Sequence, residues 1–183
     1  MKKIVIASLI ALSMTSLSAR ETKLLPIMSD GEYCLGPAVA LIGGYGKTNN
    51  VKSTGLYGVE FSLACPLLQI PDFDIKQQVS LVHQNSDGYE ATSFELNPHV
   101  MFDVVKDIQV GVGPELGVLF AKGAKSDTVF TYGLGTSANY DLANGMFIGA
   151  EARYQWTTDA ELVSGVKNDL NNFRTLLKVG VHF

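Results

Sequence analysis

The chain has 183 residues, 46% of them hydrophobic and 17% charged, with a formal charge of −4. A mildly acidic chain without a basic tract excludes a nucleic-acid-binding role. No run of about 18 or more apolar residues follows the first 19 positions, which excludes a transmembrane helix and leaves any membrane crossing to a barrel of strands.

In chain order, the first feature is a leader. Lys2 and Lys3 precede an apolar stretch from Ile4 to Leu12, which gives way to small and hydroxylated residues ending near Ala19. That order predicts a secretory signal peptide over 1–19, cleaved after Ser18 or Ala19. No cysteine sits at the junction, so no lipoprotein is expected. Cleavage would leave one domain of about 164 residues and, with Lys2 and Lys3 removed, a charge near −6. Residues 20–33 show no period and are read as an irregular N-terminal segment; the barrel domain is assigned to 34–183.

From Gly36 onward, eight segments of period-two alternation are separated by clusters of Gly, Asn, Asp, Ser and Lys. They run approximately over 36–45, 54–65, 73–84, 89–102, 108–120, 128–140, 146–156 and 172–183. Each is about long enough to cross the hydrocarbon layer as a tilted strand. The turns after the fourth and sixth are tight, those after the first, fifth and seventh longer and more polar. Residues 69–72 and 86–88 fit this rhythm less well.

Which side is apolar decides between a soluble and a membrane barrel. In the last segment Phe173, Thr175, Leu177, Val179, Val181 and Phe183 alternate with Arg174, Leu176, Lys178, Gly180 and His182. The fourth, fifth and seventh segments repeat the pattern. Their polar positions are mostly glycines with a few charges, too small and sparse to coat a soluble surface but suited to a crowded lumen. Aromatics gather at both strand ends: Tyr57, Phe94, Phe120, Phe130, Tyr154, Trp156 and Phe173 toward the longer loops, and Phe73, Phe102, Tyr140 and Phe183 toward the short turns. The predicted fold is all-β, a closed antiparallel up-and-down transmembrane barrel of about eight strands. The first and third segments are apolar on both faces and leave their register open.

With its leader, eight alternating segments and terminal VGVHF, the chain resembles the small eight-stranded outer-membrane β-barrels of Gram-negative bacteria, the porin-like OmpA/OmpX group. The resemblance implies that Phe183, with Val181 and Val179, closes the last strand and is read by the outer-membrane assembly machinery. It also implies contact with outer-membrane lipids and lipopolysaccharide. No room is expected for a periplasmic wall-binding domain, and the barrel is expected to be a monomer.

The candidate functional residues are the inward charges, Glu60, Glu95, Glu115 and Glu151 against Lys76, Arg153, Arg174 and Lys178. An unpaired charge in a narrow lumen is costly, so these groups are expected to pair across it. Their preferred role is to fill and hold the interior; rearranging them to open a narrow gated pore is the alternative. The three histidines His83, His99 and His182 fit no metal or triad spacing, so a lipid-modifying enzyme is the least favoured reading, and no catalytic, metal or cofactor residue is assigned. Inward glycines such as Gly133, Gly135 and Gly149 are read as making space for large lumen side chains. Lys47, Lys52, Lys122 and Lys125 are read as solvated loop lysines rather than phosphate contacts. Cys34 precedes the first strand and Cys65 ends the second, nearly symmetric about a hairpin turn near Asn49 and Asn50, so a disulfide between them is expected at the short-turn rim.

Overall fold

The computed structural model describes residues 22–49, 51–70, 73–86, 88–163 and 165–183; the leader lies outside them. Two-residue strand β1 (Lys23–Leu24) is followed by a single helical turn α1 (Pro26–Ser29). Then come β2 (Ala38–Thr48), β3 (Thr54–Ala64), the short β4 (Leu68–Gln69), β5 (Asp74–Ser86), β6 (Tyr89–Val105), β7 (Ile108–Lys122), β8 (Ser126–Asp141) and β9 (Met146–Thr157). A small hairpin, β10 (Ala160–Val163) with β11 (Val166–Asn168), precedes the last strand β12 (Asn172–His182).

Eight of these strands close a barrel in the order β12-β2-β3-β5-β6-β7-β8-β9, every neighbour antiparallel. The eight sequence segments correspond to them one for one, most boundaries lying within two or three residues. Closure leaves no edge, which lets strands satisfy their backbone groups against one another inside a membrane. The seam joins β2 to β12 over an unbroken register from Asn172↔Thr48 to His182↔Ala38.

Side-chain direction follows the alternation. On β12, Arg174, Leu176, Lys178 and Gly180 face inward and are buried, while Leu177 and Val179 face outward and are exposed. Register also resolves the two ambiguous strands. Ala38, Ala40 and Ile42 of β2 point inward against Val39 and Leu41, and Gln78, Ser80 and Val82 of β5 point inward against Leu81. The outer wall is apolar, with exposed Tyr45, Tyr57, Phe94, Phe120, Phe130 and Phe173 toward the loop end and Phe102, Tyr140 and Phe183 toward the turn end.

Two expectations need correction. The connections after β2 and β7 are short, and only the excursion between β9 and β12 is long, because β2 and β7 each continue two or three residues past their expected ends. The segment 20–33 is not wholly irregular. Lys23 and Leu24 pair with Gln69 and Leu68, and Lys23 Nζ meets Asp30 Oδ2 at 2.7 Å across the helical turn. This N-terminal collar sits on the connection between β3 and β5, which explains why residues 69–72 do not read as a simple turn.

Candidate functional site

The barrel wall delivers four carboxylates and three cations to one level of the lumen. Glu60 and Ser80 are direct register partners across β3 and β5, and Ser80 faces Glu95 across β5 and β6. Arg153 on β9 comes in from the opposite side and is fully buried, at 0% exposure. Its Nη1 donates to Glu95 Oε2 at 2.8 Å and to Ser80 Oγ at 2.9 Å, its Nη2 donates to Glu60 Oε2 at 3.0 Å, and its Nε donates to Glu151 Oε2 at 2.8 Å. One guanidinium thus ties β9 to β3, β5 and β6, strands that do not neighbour it, which only the planar five-donor fork of arginine can do.

The other two cations extend the network in opposite directions. Lys178 Nζ on β12 donates to Glu60 Oε1 at 2.9 Å and Glu151 Oε1 at 2.5 Å. Arg174 donates to Glu95 Oε1 at 2.6 Å and Glu115 Oε1 at 3.1 Å, and Gln155 donates to Glu115 as well. Asn172 Nδ2 then holds Gln155 Oε1 at 2.8 Å. Bulky side chains fit because glycines stand where they pass: a Cβ on Gly149 would lie 2.8 Å from Lys178 Cε, and one on Gly135 would lie 3.0 Å from His99 Nε2.

Beside the network and toward the loop end, apolar side chains join buried polar ones such as Gln84, Thr131 and Thr157. Ile42, Leu56, Val82 and Leu176 form one buried cluster, and at the loop end Tyr89, Ala91, Leu119, Ala121 and Val129 pack with Ala160 and Leu170 from the β9–β12 excursion. The β10–β11 hairpin is therefore a cap. Lys125 N–H donates to Leu162 O at 2.9 Å, Glu161 N–H to Asp127 Oδ2 at 2.8 Å, and Leu170 N–H to Thr157 Oγ1 at 2.7 Å. The void between network and cap, beside Arg174 and Leu119, is only about 10 Å³. The alternation of the eight segments does not reveal this cap, because its residues lie outside the strands; the apolar triplet Leu162, Val163 and Val166 in an otherwise polar stretch was the available signal.

No protein-family model and no curated protein matches the sequence. Solved structures do. Neisserial surface protein A superposes over 83% of this chain and 100% of its own, with a TM-score of 0.61 at 18% identity. Outer membrane protein H (OprH) of P. aeruginosa covers 81% of this chain and 99% of its own, with a TM-score of 0.53 at 15% identity. The outer membrane enzyme PagL covers 78% and 98%, with a TM-score of 0.50 at 16% identity. The chain has the fold of the small eight-stranded outer-membrane β-barrels.

Within this outer-membrane-type barrel, most of the sequence-assigned charges come together and Lys76 does not. Lys76 faces the lumen opposite Ala64 and His99, two inward positions nearer the turn end than Ser80, or about 13 Å along the strand. Among the described residues it forms no ion pair, and it lines a cavity of about 520 Å³ at the turn-end mouth instead. The network is thus four acids against three bases.

The histidines separate. His99 is buried with Nδ1 2.9 Å from Ser137 Oγ, His182 lies 3.3 Å from Asp141 near the turn end, and His83 sits on the outer wall 2.9 Å from Thr92 Oγ1. His83 is therefore turned away from Ser80, which faces the lumen. The loop lysines Lys122 and Lys125 lie 3.8 Å from Glu90 and 2.9 Å from Glu161. Phe183 is exposed beyond the end of β12, its N–H donating to Pro37 O at 2.9 Å, with Val179 and Val181 on the outer wall.

The expected Cys34–Cys65 bridge is absent: both residues are free thiols, Cys34 exposed and Cys65 buried. Cys65 Sγ is engaged on the other side, accepting from Gln77 Nε2 on β5 at 3.3 Å, so its side chain is committed to the β3–β5 face rather than to the chain preceding β2.

Proposed function

We propose that this is an integral outer-membrane protein, exported through a cleaved signal peptide, whose barrel has a structural or surface-interaction role and no catalytic, cofactor or metal site. The observation that carries the reading is the sealed lumen, with Arg153 bonded to residues of four strands beneath an apolar cap. Eight strands leave an interior that side chains can fill, and here they do. His99 and Ser137 are buried among wall residues, which gives a substrate no approach to that histidine–hydroxyl contact, and the second one, His83 with Thr92, lies on the outer wall apart from any carboxylate partner among the described residues.

The apolar wall and its aromatic belts suit outer-membrane lipids, and Phe183 with Val181 and Val179 suits recognition by an assembly machinery. As a monomer the barrel would present mainly the β10–β11 hairpin, so a surface partner or lipopolysaccharide would meet that hairpin first. Planar-bilayer recording tests the reading against a gated pore. The purified barrel is expected to give no stepwise conductance, and regular steps would replace the present reading with the pore.

A further inference from the structure

We propose that the N-terminal collar is a membrane-interface anchor that lies against the outer wall of the barrel at its turn end and inserts apolar side chains into the adjoining lipid leaflet. The inference rests on the reading of the barrel as membrane-spanning, and its evidence comes from two sides of the same segment.

The inner side is fixed by burial. Alternation along β3 places Leu63 and Cys65 on the outer wall, since Ser62 faces the lumen, and the ladder continues through Cys65 N–H donating to Ile75 O at 2.8 Å. Outward residues at this end of other strands, such as Val39 and Met146, are exposed, but Cys65 is only 4% exposed and Leu63, Ile75 and Gln77 are half-buried. Gln77 spends an amide hydrogen on Cys65 Sγ, and Tyr33 Oη donates to Cys65 O at 2.8 Å. The chain around the collar therefore covers a stretch of wall that would otherwise face lipid, which also removes the anomaly of a glutamine on the apolar side.

The outer side is bare and apolar. Leu24 and Met28 are 74% and 82% exposed, comparable to the lipid-facing Leu177 at 69%, and Leu25, Ile27 and Leu67 are exposed beside them. Leu25 N–H bonds to Leu67 O at 2.9 Å, so these side chains belong to one folded patch. Three polar side chains of the segment, Asp30, Glu32 and Tyr33, line the cavity at the turn-end mouth, and Lys23 is drawn to Asp30. Contiguous exposed apolar side chains backed by a polar face mark an interaction surface, and one continuous with a lipid-facing wall and its aromatic belt of Phe73 and Phe102 is matched by the lipid itself.

The test uses tryptophan fluorescence in vesicles of brominated phospholipid. In a Trp156→Phe background, Met28→Trp and Leu24→Trp probe the collar, and Leu177→Trp probes the wall; retained heat-modifiable migration shows that each variant folds. Both collar tryptophans are expected to lose most of their emission in brominated lipid, more when the bromines lie near the ester end of the chain than near its methyl end. If Leu177→Trp is quenched while both collar tryptophans keep their emission and are quenched by aqueous iodide instead, the anchor is overturned. If all three escape bromine, the barrel itself is not in the bilayer and both readings fall.

Discussion

In the middle of the lumen, Arg153 is held by charge-assisted hydrogen bonds from β3, β5, β6 and β9; at the loop end, the same cylinder is closed by Leu119, Val129, Ala160 and Leu170 in apolar contact. The two fillings differ in what removing one member leaves behind. Deleting a leucine from the cap leaves a space into which a hairpin can settle. Deleting Arg153 leaves three carboxylates facing one another without their shared cation. The network should therefore behave as part of the global fold and the cap as a locally stable lid.

The sharpest break of this comparison is Arg153→Ala. It should lower barrel stability by about 3–5 kcal/mol, the usual consequence of stranding buried charge, read as a shift of the urea midpoint in detergent micelles. A midpoint equal to that of the parent would mean that lumen water already solvates the carboxylates. Leu170→Ala should cost about 2 kcal/mol, the low end for a buried leucine because the hairpin can relax, and the loss should appear in hydrogen exchange of the β10–β11 amides while the global midpoint barely moves. A global shift as large as that of Arg153→Ala would make the cap part of the same cooperative unit.

How far sequence reasoning reached follows the same division. The alternation of β6, β7, β9 and β12 shows which residues face the lumen, and seven of the eight assigned charges do meet there. Lys76 faces the lumen as its alternation implies but stands about two inward positions from the network, because alternation reports the face of a strand and not the height along it. The cap and the collar were invisible for another reason: both are built by segments without a period, whose structure depends on what the barrel offers them to pack against. The cysteines fall between the two, since hairpin symmetry brought the residues to one rim but could not show that Gln77 would claim the sulfur.

Lys76 gives a smaller and cleaner contrast. Lys76→Met should change stability by no more than about 0.5 kcal/mol, as expected for a group outside any buried network, whereas Lys178→Met should resemble Arg153→Ala in direction. Equal losses for the two lysines would extend the network to the turn end.

The smallest expected effect lies at the cap. The Gly165 N–H bonded to Glu161, followed by the Lys125 ammonium, holds the Glu161 carboxyl below its ordinary range. A carboxylate with a depressed folded-state value stabilises at pH above its ordinary value and loses that contribution as pH falls through the depressed one. The Gly165 amide resonance should therefore stay fixed from neutral pH down into the ordinary carboxylate range and shift only below it. Movement already near pH 6 would show that another group controls the hairpin.

The seam between β2 and β12 joins positions 124 to 144 residues apart, Asn172 with Thr48 and His182 with Ala38. Such pairing is the slowest kind to reach, because the closing loop is nearly the whole chain. Arg174 and Lys178 ride on one strand of that seam, so their bonds across the lumen to Glu95 and Glu60 require the cylinder to be shut. Before that moment the half-built sheet carries naked charges on one face and bare hydrocarbon on the other, a species that needs water on the first side and shelter on the second. In this barrel the closure that makes the wall continuous is also the one that lets the interior neutralise its charges.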